Sequence, residues 1–477
     1  MRLIRSRARW RGLNLGRKRV SPVVQSQLLS RSQAEQYKSN NASRSAATEV
    51  ARHLLERRTC LNSVTASNTI DPFNTLQIGE AGKSHYLISQ FYSLFYPADC
   101  AYSPIRPLLR KEEALESALS DPAYLHAALV HIGKTLRDQT TLELSPSITY
   151  HLCKAITMIN KRIGSQKVVT IDTIGAVTSL TGFELRNGSM ASVKIHLDGL
   201  EALVKSVGGL QALVRSPFIF KYSCWVDFFS AIVLGTKPRF GLANPALLPL
   251  HPDLNNLEPY NLLTARYGAR LSNLTGLPRM SQEMIEIYRI FRHLVVEKER
   301  AAGLQTMGIT EADYQSLQSY CTQLIYRLIA LIQFDTQSQN SLVFRLFGNA
   351  AAAHIFMFTY NLPPRSDTHV LMSTRIRATL EMIDVQVFQN AYPEMMLWVI
   401  MIGGLGSIGT EDQVWFIRLL AQFCYATGIA GTDEIALSLK EFVWSEFYQG
   451  PIFDEFWKEY VILRESLAAS GEIGQDR

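Results

Sequence analysis

Apolar side chains recur every three or four positions along most of the chain after Tyr86, and this spacing places them on one face of an α-helix. The alternation of apolar and polar residues that is typical of β-strands is scarce. The clearest apolar stripes are Met284, Tyr288, Phe291 and Val295; Leu317, Cys321, Leu324, Leu328 and Leu331; and Ile376, Leu380, Ile383 and Val387. The pattern predicts an all-α fold, a large layered helical array without a fixed-period repeat.

Helix boundaries can be predicted where a capping residue precedes proline. Asp121-Pro122 and Ser145-Pro146 fit this rule, and Asp172 is expected to cap a third helix. The last helices are predicted at approximately 412–427, 433–447 and 453–469. Residues 244–278 are richer in Pro, Asn and Leu and are expected to form a long irregular connection.

The stretch from His196 to Phe240 combines several of these signals in its 45 residues. A helical apolar stripe ends at Gly208-Gly209, where the chain needs a residue that tolerates a left-handed conformation. Ser216-Pro217 is expected to supply an N-cap oxygen and an N1 proline for a long apolar helix. The stripe of this helix consists of Phe218, Tyr222, Trp225, Phe229 and Ile232. The stretch therefore predicts a helix, a glycine break, a short helix and a second helix closed by a turn.

Ten residues of this stretch also carry a family resemblance. They are His196, Gly199, Leu200, Gly208, Gly209, Leu210, Trp225, Asp227, Pro238 and Phe240. Their order resembles the H-x-x-G-L, G-G-L, W-x-D and P-x-F core of the fungal-specific transcription factor regulatory domain. The resemblance implies a helical domain over 69–470 that regulates transcription in the nucleus and usually follows a zinc-cluster DNA-binding module.

Two further stretches resemble the same family. Asp71-Pro-Phe-Asn-Thr-Leu-Gln-Ile78 is similar to a segment that often opens the domain. Pro393-Glu-Met-Met-Leu-Trp398, followed by Gly403-Gly404 and Trp415-Phe416, is similar to its C-terminal part. The resemblance thus extends over roughly residues 71–460.

The cysteines depart from the family pattern. The six cysteines are Cys60, Cys100, Cys153, Cys224, Cys321 and Cys424, and no two have the C-x-x-C spacing of a zinc site. Single buried thiols are expected instead, with no metal site and no disulfide framework. Either the regulator works without its own zinc cluster, or the gene model is truncated and an upstream exon encodes one.

The N-terminal tail, residues 1–68, accounts for the basic charge. The net charge is +6, and the first twenty residues contain eight basic side chains and no acid, which leaves the remainder at −2. A Ser-, Gln- and Asn-rich run follows, so this tail is expected to be disordered. The basic residues considered for nuclear import or phosphate contact are Arg5, Arg7, Arg9, Arg11, Arg17, Lys18 and Arg19. The same composition is typical of a mitochondrial presequence, which is the alternative for localisation.

Three patterns resemble enzyme motifs. Gly404-Leu-Gly406-Ser-Ile-Gly409 fits a dinucleotide fingerprint and raises the alternative of a nicotinamide-dependent oxidoreductase, but the required second strand is missing. Tyr150 and Lys154 have the Y-x-x-x-K spacing of short-chain dehydrogenases, yet residues four apart on a helix are ordinary neighbours. His196 with Asp198 and Asp227 lacks an accompanying nucleophile, so hydrogen bonds within the bend are the favoured interpretation.

These observations favour a protein that is not an enzyme and has no cofactor. Protein partners or a homodimer are expected, DNA contact would be indirect, and a small-molecule effector is a further expected partner. The clusters at 91–96, 218–229 and 442–457 hold many of the aromatic residues and are expected in the core, with a ligand pocket as the alternative. No membrane association is expected, because the longest apolar run, 395–409, is shorter than the roughly twenty residues that span a bilayer.

Overall fold

The computed structural model of the chain describes residues 84, 87–88, 117–119, 121–136, 146–165, 169–187, 190–240, 278–303, 311–332, 339–360, 362, 365–429, 431–444 and 451–470. Of this part of the chain 87% is helical, and it contains no β-strand. The predicted all-α class is therefore confirmed. The tail 1–68, the segment 71–78, the aromatic cluster 91–96 and the connection through residue 277 lie outside the described residues.

The helices in chain order are α1 Pro122–Leu136, α2 Pro146–Gly164, α3 Ile171–Asn187, α4 Met190–Ser206, α5 Pro217–Leu234, α6 Pro278–Gly303, α7 Glu311–Ile332, α8 Gln339–His354, α9 Asp367–Met382, α10 Val385–Ala391, α11 Pro393–Gly406, α12 Asp412–Thr427, α13 Thr432–Phe442 and α14 Pro451–Ser470. A 3-10 helix, Leu210–Arg215, separates α4 from α5. A π-helical turn, Ile355–Thr359, extends α8.

The first layer is formed by α1 to α5. Helix α1 packs against α2 and α3, α4 lies on α3, and α5 packs against α3 and α4. A glycine permits close approach of the helices at two crossings. A Cβ at Gly133 of α1 would lie 2.7 Å from the Ile148 side chain of α2, and a Cβ at Gly175 of α3 would lie 2.7 Å from the Tyr124 ring of α1. At a third crossing, Gly182 lies under the hydroxyl of Tyr222.

Helix α11 lies at the centre of the second part of the fold. It contacts α8, α9, α10, α12, α13 and α14, and every residue from Met395 to Gly406 is buried. Helix α5 connects the two parts, because it contacts α3 and α4 as well as α7 and α9. Such a large buried apolar area supplies the main driving force for folding.

Among the described residues, two segments are long and apolar enough to cross a membrane by length and composition, Pro217–Leu234 and Leu342–Thr359. Within the fold, 72% and 89% of their residues are buried, respectively. Neither segment was expected from the sequence, where only the apolar run 395–409 was considered. Packing against other helices accounts for their hydropathy, since a helix that is apolar on all sides is typical of a protein core.

Several boundary predictions are confirmed and others are wrong. Helix 412–427 has the predicted bounds, whereas the helix predicted at 433–447 ends at Phe442 because Val443 is extended. The third apolar stripe breaks before Val387, which is 63% exposed. The reason is that α9 ends at Met382, and Asp384 then caps α10 by accepting the Val387 N–H at 3.0 Å.

Two further expectations need correction. Asp172 lies in the first turn of α3, and the oxygen that accepts a first-turn N–H belongs to Thr170, 3.2 Å from the Thr173 nitrogen. Among the cysteines, Cys321 and Cys424 are buried as expected, but Cys153 lies on the exposed face of α2. Asp121 acts as predicted, since it accepts the N–H of Tyr124 at 2.9 Å.

Candidate functional site

The Gly208-Gly209 pair redirects the chain after α4. The Gly209 N–H donates to the Val204 carbonyl at 2.9 Å, which closes the helix end. Gly208 has φ 100°, and Gly209 has φ 92° and ψ −173°. The second combination belongs to a region that essentially only glycine adopts. The predicted glycine break is therefore present, and its conformation requires glycine.

Helix α5 begins at Pro217, as the sequence predicted, with Ser216 at the N-cap position. The Ser216 side chain makes no capping hydrogen bond, so that part of the prediction is wrong. The backbone explains the difference, because Ser216 also ends the preceding 3-10 helix and its N–H donates to the Leu213 carbonyl. One residue thus joins two helices through its backbone.

The Asp227 carboxylate holds the turn that follows α5. Its two oxygens accept the backbone N–H groups of Arg239 at 2.8 Å and Phe240 at 3.0 Å. Asp227 is 1% exposed, and burial raises the pKa of its carboxyl to about 6. Both oxygens are occupied by backbone donors, so this carboxylate acts as a tether for the turn.

Arg239 joins the same turn to α4. Its guanidinium lies 2.5 Å from Asp198 and 3.0 Å from Glu201. Glu201 also pairs with the largely exposed Lys205 at 2.5 Å. Asp198 therefore belongs to an ion-pair network. His196, on the same helix, is half-buried. Arg239 was not predicted as a functional residue because it stands at a variable position of the P-x-F motif.

Trp225 packs the bend onto the second half of the fold. Its ring stacks on Phe229 with centroids 4.4 Å apart and lies 5.2 Å from Tyr360. Phe229 in turn contacts Phe356 of the π-helical turn at 4.5 Å. The expectation that the aromatic residues of 218–229 belong to the core is confirmed by their burial. Within the described part of the chain, the buried Trp225 Nε1 has no hydrogen-bond partner.

Arg375 of α9 closes the C-terminal end of α5. Its guanidinium donates to the carbonyls of Ile232 at 2.8 Å and Val233 at 2.7 Å. A cation at this position complements the negative end of the helix dipole. Burial lowers the pKa of the guanidinium. No sequence signal pointed to Arg375, because its partners are backbone carbonyls about 140 positions away.

The ten signature residues thus lie on α4, on the glycine turn, on α5 and on the turn after it. The structure gives the Leu200 side chain a fully buried position and brings Asp227 to the backbone of Phe240. No group of three or more His, Cys, Asp or Glu side chains that could hold a metal occurs among the described residues. The observed contacts of the bend are those of a packing and tethering site. The seven basic tail residues lie outside the described part.

The glycine motif at 404–409 occupies the end of a helix. Gly404 and Gly406 belong to the last turn of α11, and Gly409 follows with φ 83°. Dinucleotides bind at a helix N-terminus, where free N–H groups point at the phosphates, whereas a helix C-terminus presents carbonyls. A Cβ at Gly404 would lie 2.6 Å from the Phe456 ring. These glycines therefore allow helices to pack closely, and the oxidoreductase alternative gains no support.

The Tyr150 and Lys154 pair has a local explanation as well. The Lys154 ammonium lies 5.4 Å from the centroid of the Tyr150 ring, one turn away on α2. This is an ordinary cation–π contact between neighbours on a helix surface. Its geometry supports the structural interpretation given to the pair.

Comparison with known proteins adds one match. The sequence model described as the fungal specific transcription factor domain matches residues 84–467, so segment 71–78 lies outside the matched range. No zinc-cluster domain is found. No curated protein and no solved structure matches the chain. Proteins of this family regulate transcription, and the match covers well over half of the sequence. The chain therefore belongs to the fungal-specific transcription factor domain family.

Proposed function

We propose that this protein is a nuclear, non-enzymatic regulator of transcription that acts through its helical domain, and that no part of this sequence serves as a zinc cluster. The family match over residues 84–467 is the observation that carries the proposal. The cysteine spacing supports its second part, because no C-x-x-C pair stands anywhere in the sequence. The domain then acts through protein partners or as a homodimer, and DNA contact is indirect or made by phosphate contacts of the basic tail.

The contacts around His196–Phe240 support a structural role for the family signature. Asp227 tethers a turn, the glycine pair sets a backbone conformation, and Trp225 fills the core. Regulation then depends on surfaces that the intact domain presents, and a small-molecule effector would act by changing its packing. We place the domain boundary near residue 69, with 69–470 as the helical unit and 1–68 as a separate basic tail.

Immunoprecipitation of the tagged full chain from crosslinked nuclei tests the proposal. We expect specific DNA regions to be enriched at least severalfold over an untagged strain. Enrichment should fall when a tether of the fold is removed by Asp227→Ala and persist in the surface control Glu381→Gln. A chain that reaches the nucleus but enriches no region would contradict the proposal.

The tail is tested by localisation. Deletion of residues 1–20, or replacement of the seven basic residues by Gln, should abolish nuclear accumulation of the full tagged chain. A variant that still accumulates in the nucleus would refute the import role of the tail. A protein found in mitochondria with its N-terminus cleaved near residues 30–40 would support the mitochondrial alternative instead.

A further inference from the structure

Two buried histidines meet between α1 and α2. The Nδ1 atoms of His126 and His151 lie 2.7 Å apart, and the two side chains are 1% and 0% exposed. Their ring centroids are 5.0 Å apart. At this distance one Nδ1 carries the shared hydrogen and the other accepts it, so both cannot be protonated at once. The hydrogen bond therefore exists only while one of the two imidazoles remains neutral.

We propose that the His126–His151 pair is an acid-sensitive latch that holds α1 and α2 together at neutral pH and loosens them as the pH falls. A second proton on the pair removes the acceptor and places two positive rings in contact. In the opened state the His126 imidazole is hydrated and takes a proton near the ordinary histidine pKa. The latch is a property of this interface and does not depend on the proposed role in transcription.

The surroundings of the pair oppose its protonation. Burial, and secondarily the positive charge of Lys154, lower the pKa of His126 to about 4. Tyr150 packs edge-on against both rings, with its centroid 6.0 Å from that of His126 and 5.3 Å from that of His151. No carboxylate hydrogen-bonds to His126 in the described residues. Protonation of His126 is therefore not compensated by a carboxylate hydrogen bond within the described residues.

The other charged groups of the interface act differently. Asp121, which precedes α1, and Arg162, in the last turn of α2, form an ion pair at 2.8 Å. Asp172 of α3 lies near this pair, and burial, followed by the charge of Asp121, raises the pKa of its carboxyl. A raised carboxyl pKa means that protonation favours the folded state, so Asp172 stabilises the interface as the pH falls. Its effect is opposite in sign to that of the latch.

The other faces of α1 contact α3 and α5. His131 faces α3 and α5, where its Nε2 lies 2.6 Å from the Ser179 carbonyl and 3.2 Å from the Tyr222 hydroxyl. On α3, Gly175 lies against Tyr124 and the Ser179 carbonyl faces His131, and residues 175–179 contain no titratable side chain. Among the described residues of the α1–α2 interface, His126 and His151 are the two histidines that contact each other.

The sign of the pH dependence follows from the lowered pKa. The pKa of His126 is about 4 when the latch is closed and near the ordinary value of 6.5 when it is open, so protons favour the open state over this interval. The stabilisation is complete above about pH 6.5 and is lost as the pH falls toward about 4. At pH 5 the opening equilibrium should exceed its value at pH 7 on the order of tenfold.

Hydrogen exchange of the full chain, followed by mass spectrometry and corrected for intrinsic rates, tests the latch. Protection of peptides from α1 and α2 should fall about tenfold between pH 7 and pH 5, while protection of α12 changes little. His126→Asn keeps a donor near the Nδ1 position but cannot titrate, so its α1–α2 protection should change less with pH than that of the wild type.

His369→Gln serves as the matched control. His369 of α9 is another buried histidine, with a pKa lowered to about 4 by burial, but its Nε2 lies against the carbonyl of Leu362, which precedes α9, and not against a second histidine. The control should keep the wild-type response of α1 and α2. An unchanged response in His126→Asn, or equal loss of protection in α12, would overturn the proposal. His151→Asn and the wild-type comparison of α1–α2 with α12 decide the question if His126→Asn does not fold.

Discussion

The carboxylate of Asp227 accepts the backbone N–H of Phe240 at 3.0 Å across thirteen residues of sequence. With the Arg239 N–H on its other oxygen, it ties the end of the P-x-F turn to the middle of α5. The contact gives the acidic residue of the W-x-D motif a physical role. Without it, two backbone donors near the core would lose their acceptor.

Asp227→Ala should lower the free energy of unfolding by roughly 2–4 kcal/mol, because it leaves two N–H groups without an acceptor. Asp227→Asn should cost less, since its amide oxygen still accepts one of them. Asp198→Ala is the control: it removes one partner of a partly exposed ion pair and should cost about 1 kcal/mol or less. Urea unfolding measures all three. Equal losses for Asp227→Ala and Asp198→Ala would contradict the tether.

The raised pKa of Asp227 predicts a pH dependence. A carboxyl whose pKa rises from 3.8 to about 6 on folding contributes most below pH 3.8, and this contribution is lost as the pH increases to about 6. The stability of the wild type relative to Asp227→Asn should therefore fall by about 2–3 kcal/mol between pH 4 and pH 7. Denaturant unfolding at both pH values gives the difference. A relative stability that rises with pH would show that the hydrogen bonds outweigh burial.

Two signature glycines should respond in opposite ways. Gly209→Ala forces a side chain into a glycine-only backbone region and should cost about 1–3 kcal/mol. Gly199→Ala lies within α4, where no atom of a described residue is within 4 Å of the added Cβ. It should be neutral or stabilise by roughly 0.5–1 kcal/mol, since alanine favours helices. Thermal unfolding compares them, and a severe loss at Gly199 would reveal a packing role that the described contacts lack.

Gly404→Ala tests the packing role of the glycine motif. The added methyl would meet the Phe456 ring at 2.6 Å, and overpacking of this kind costs about 1–3 kcal/mol. The double variant Gly404→Ala with Phe456→Leu should recover part of the loss, because leucine vacates the space of the ring. Chemical denaturation of the two variants and of Phe456→Leu completes the cycle. Strict additivity would contradict direct contact at this crossing.

Arg375→Met should destabilise the protein by about 1–2 kcal/mol, because the carbonyls at the end of α5 lose a charged donor. Arg375→Lys should be intermediate, since an ammonium cannot reach both carbonyls with the fork of a guanidinium. Arg377→Met is a useful comparison, as Arg377 joins α9 to α12 through Asp412 on the outer side. Unfolding by denaturant distinguishes them, and equal effects would argue against a special role of the α5 terminus.

Sequence patterns predicted the helices better than the contacts between them. Periodicity and the Gly208-Gly209 pair are local signals, and they gave the fold class and the bend. The Asp227 tether was anticipated as a hydrogen bond, but its backbone partners lie beyond a turn whose geometry no local rule specifies. Arg375 and the His126–His151 pair join segments far apart in sequence, so single-sequence reasoning had no basis for pairing them. Val387 is exposed because a new helix begins after Asp384, and hydrophobic periodicity alone does not reveal where one helix ends and the next begins.

A reporter assay with the full chain fused to an unrelated DNA-binding domain tests the central claim most directly. Tethered at a promoter, the wild-type chain should change transcription severalfold relative to the DNA-binding domain alone, and Glu381→Gln should behave like the wild type. Asp227→Ala, expressed at an equal level, should lose most of the effect because the domain loses its tether. A reporter that stays at the level of the DNA-binding domain alone, with stable wild-type fusion in the nucleus, would contradict a role in transcription.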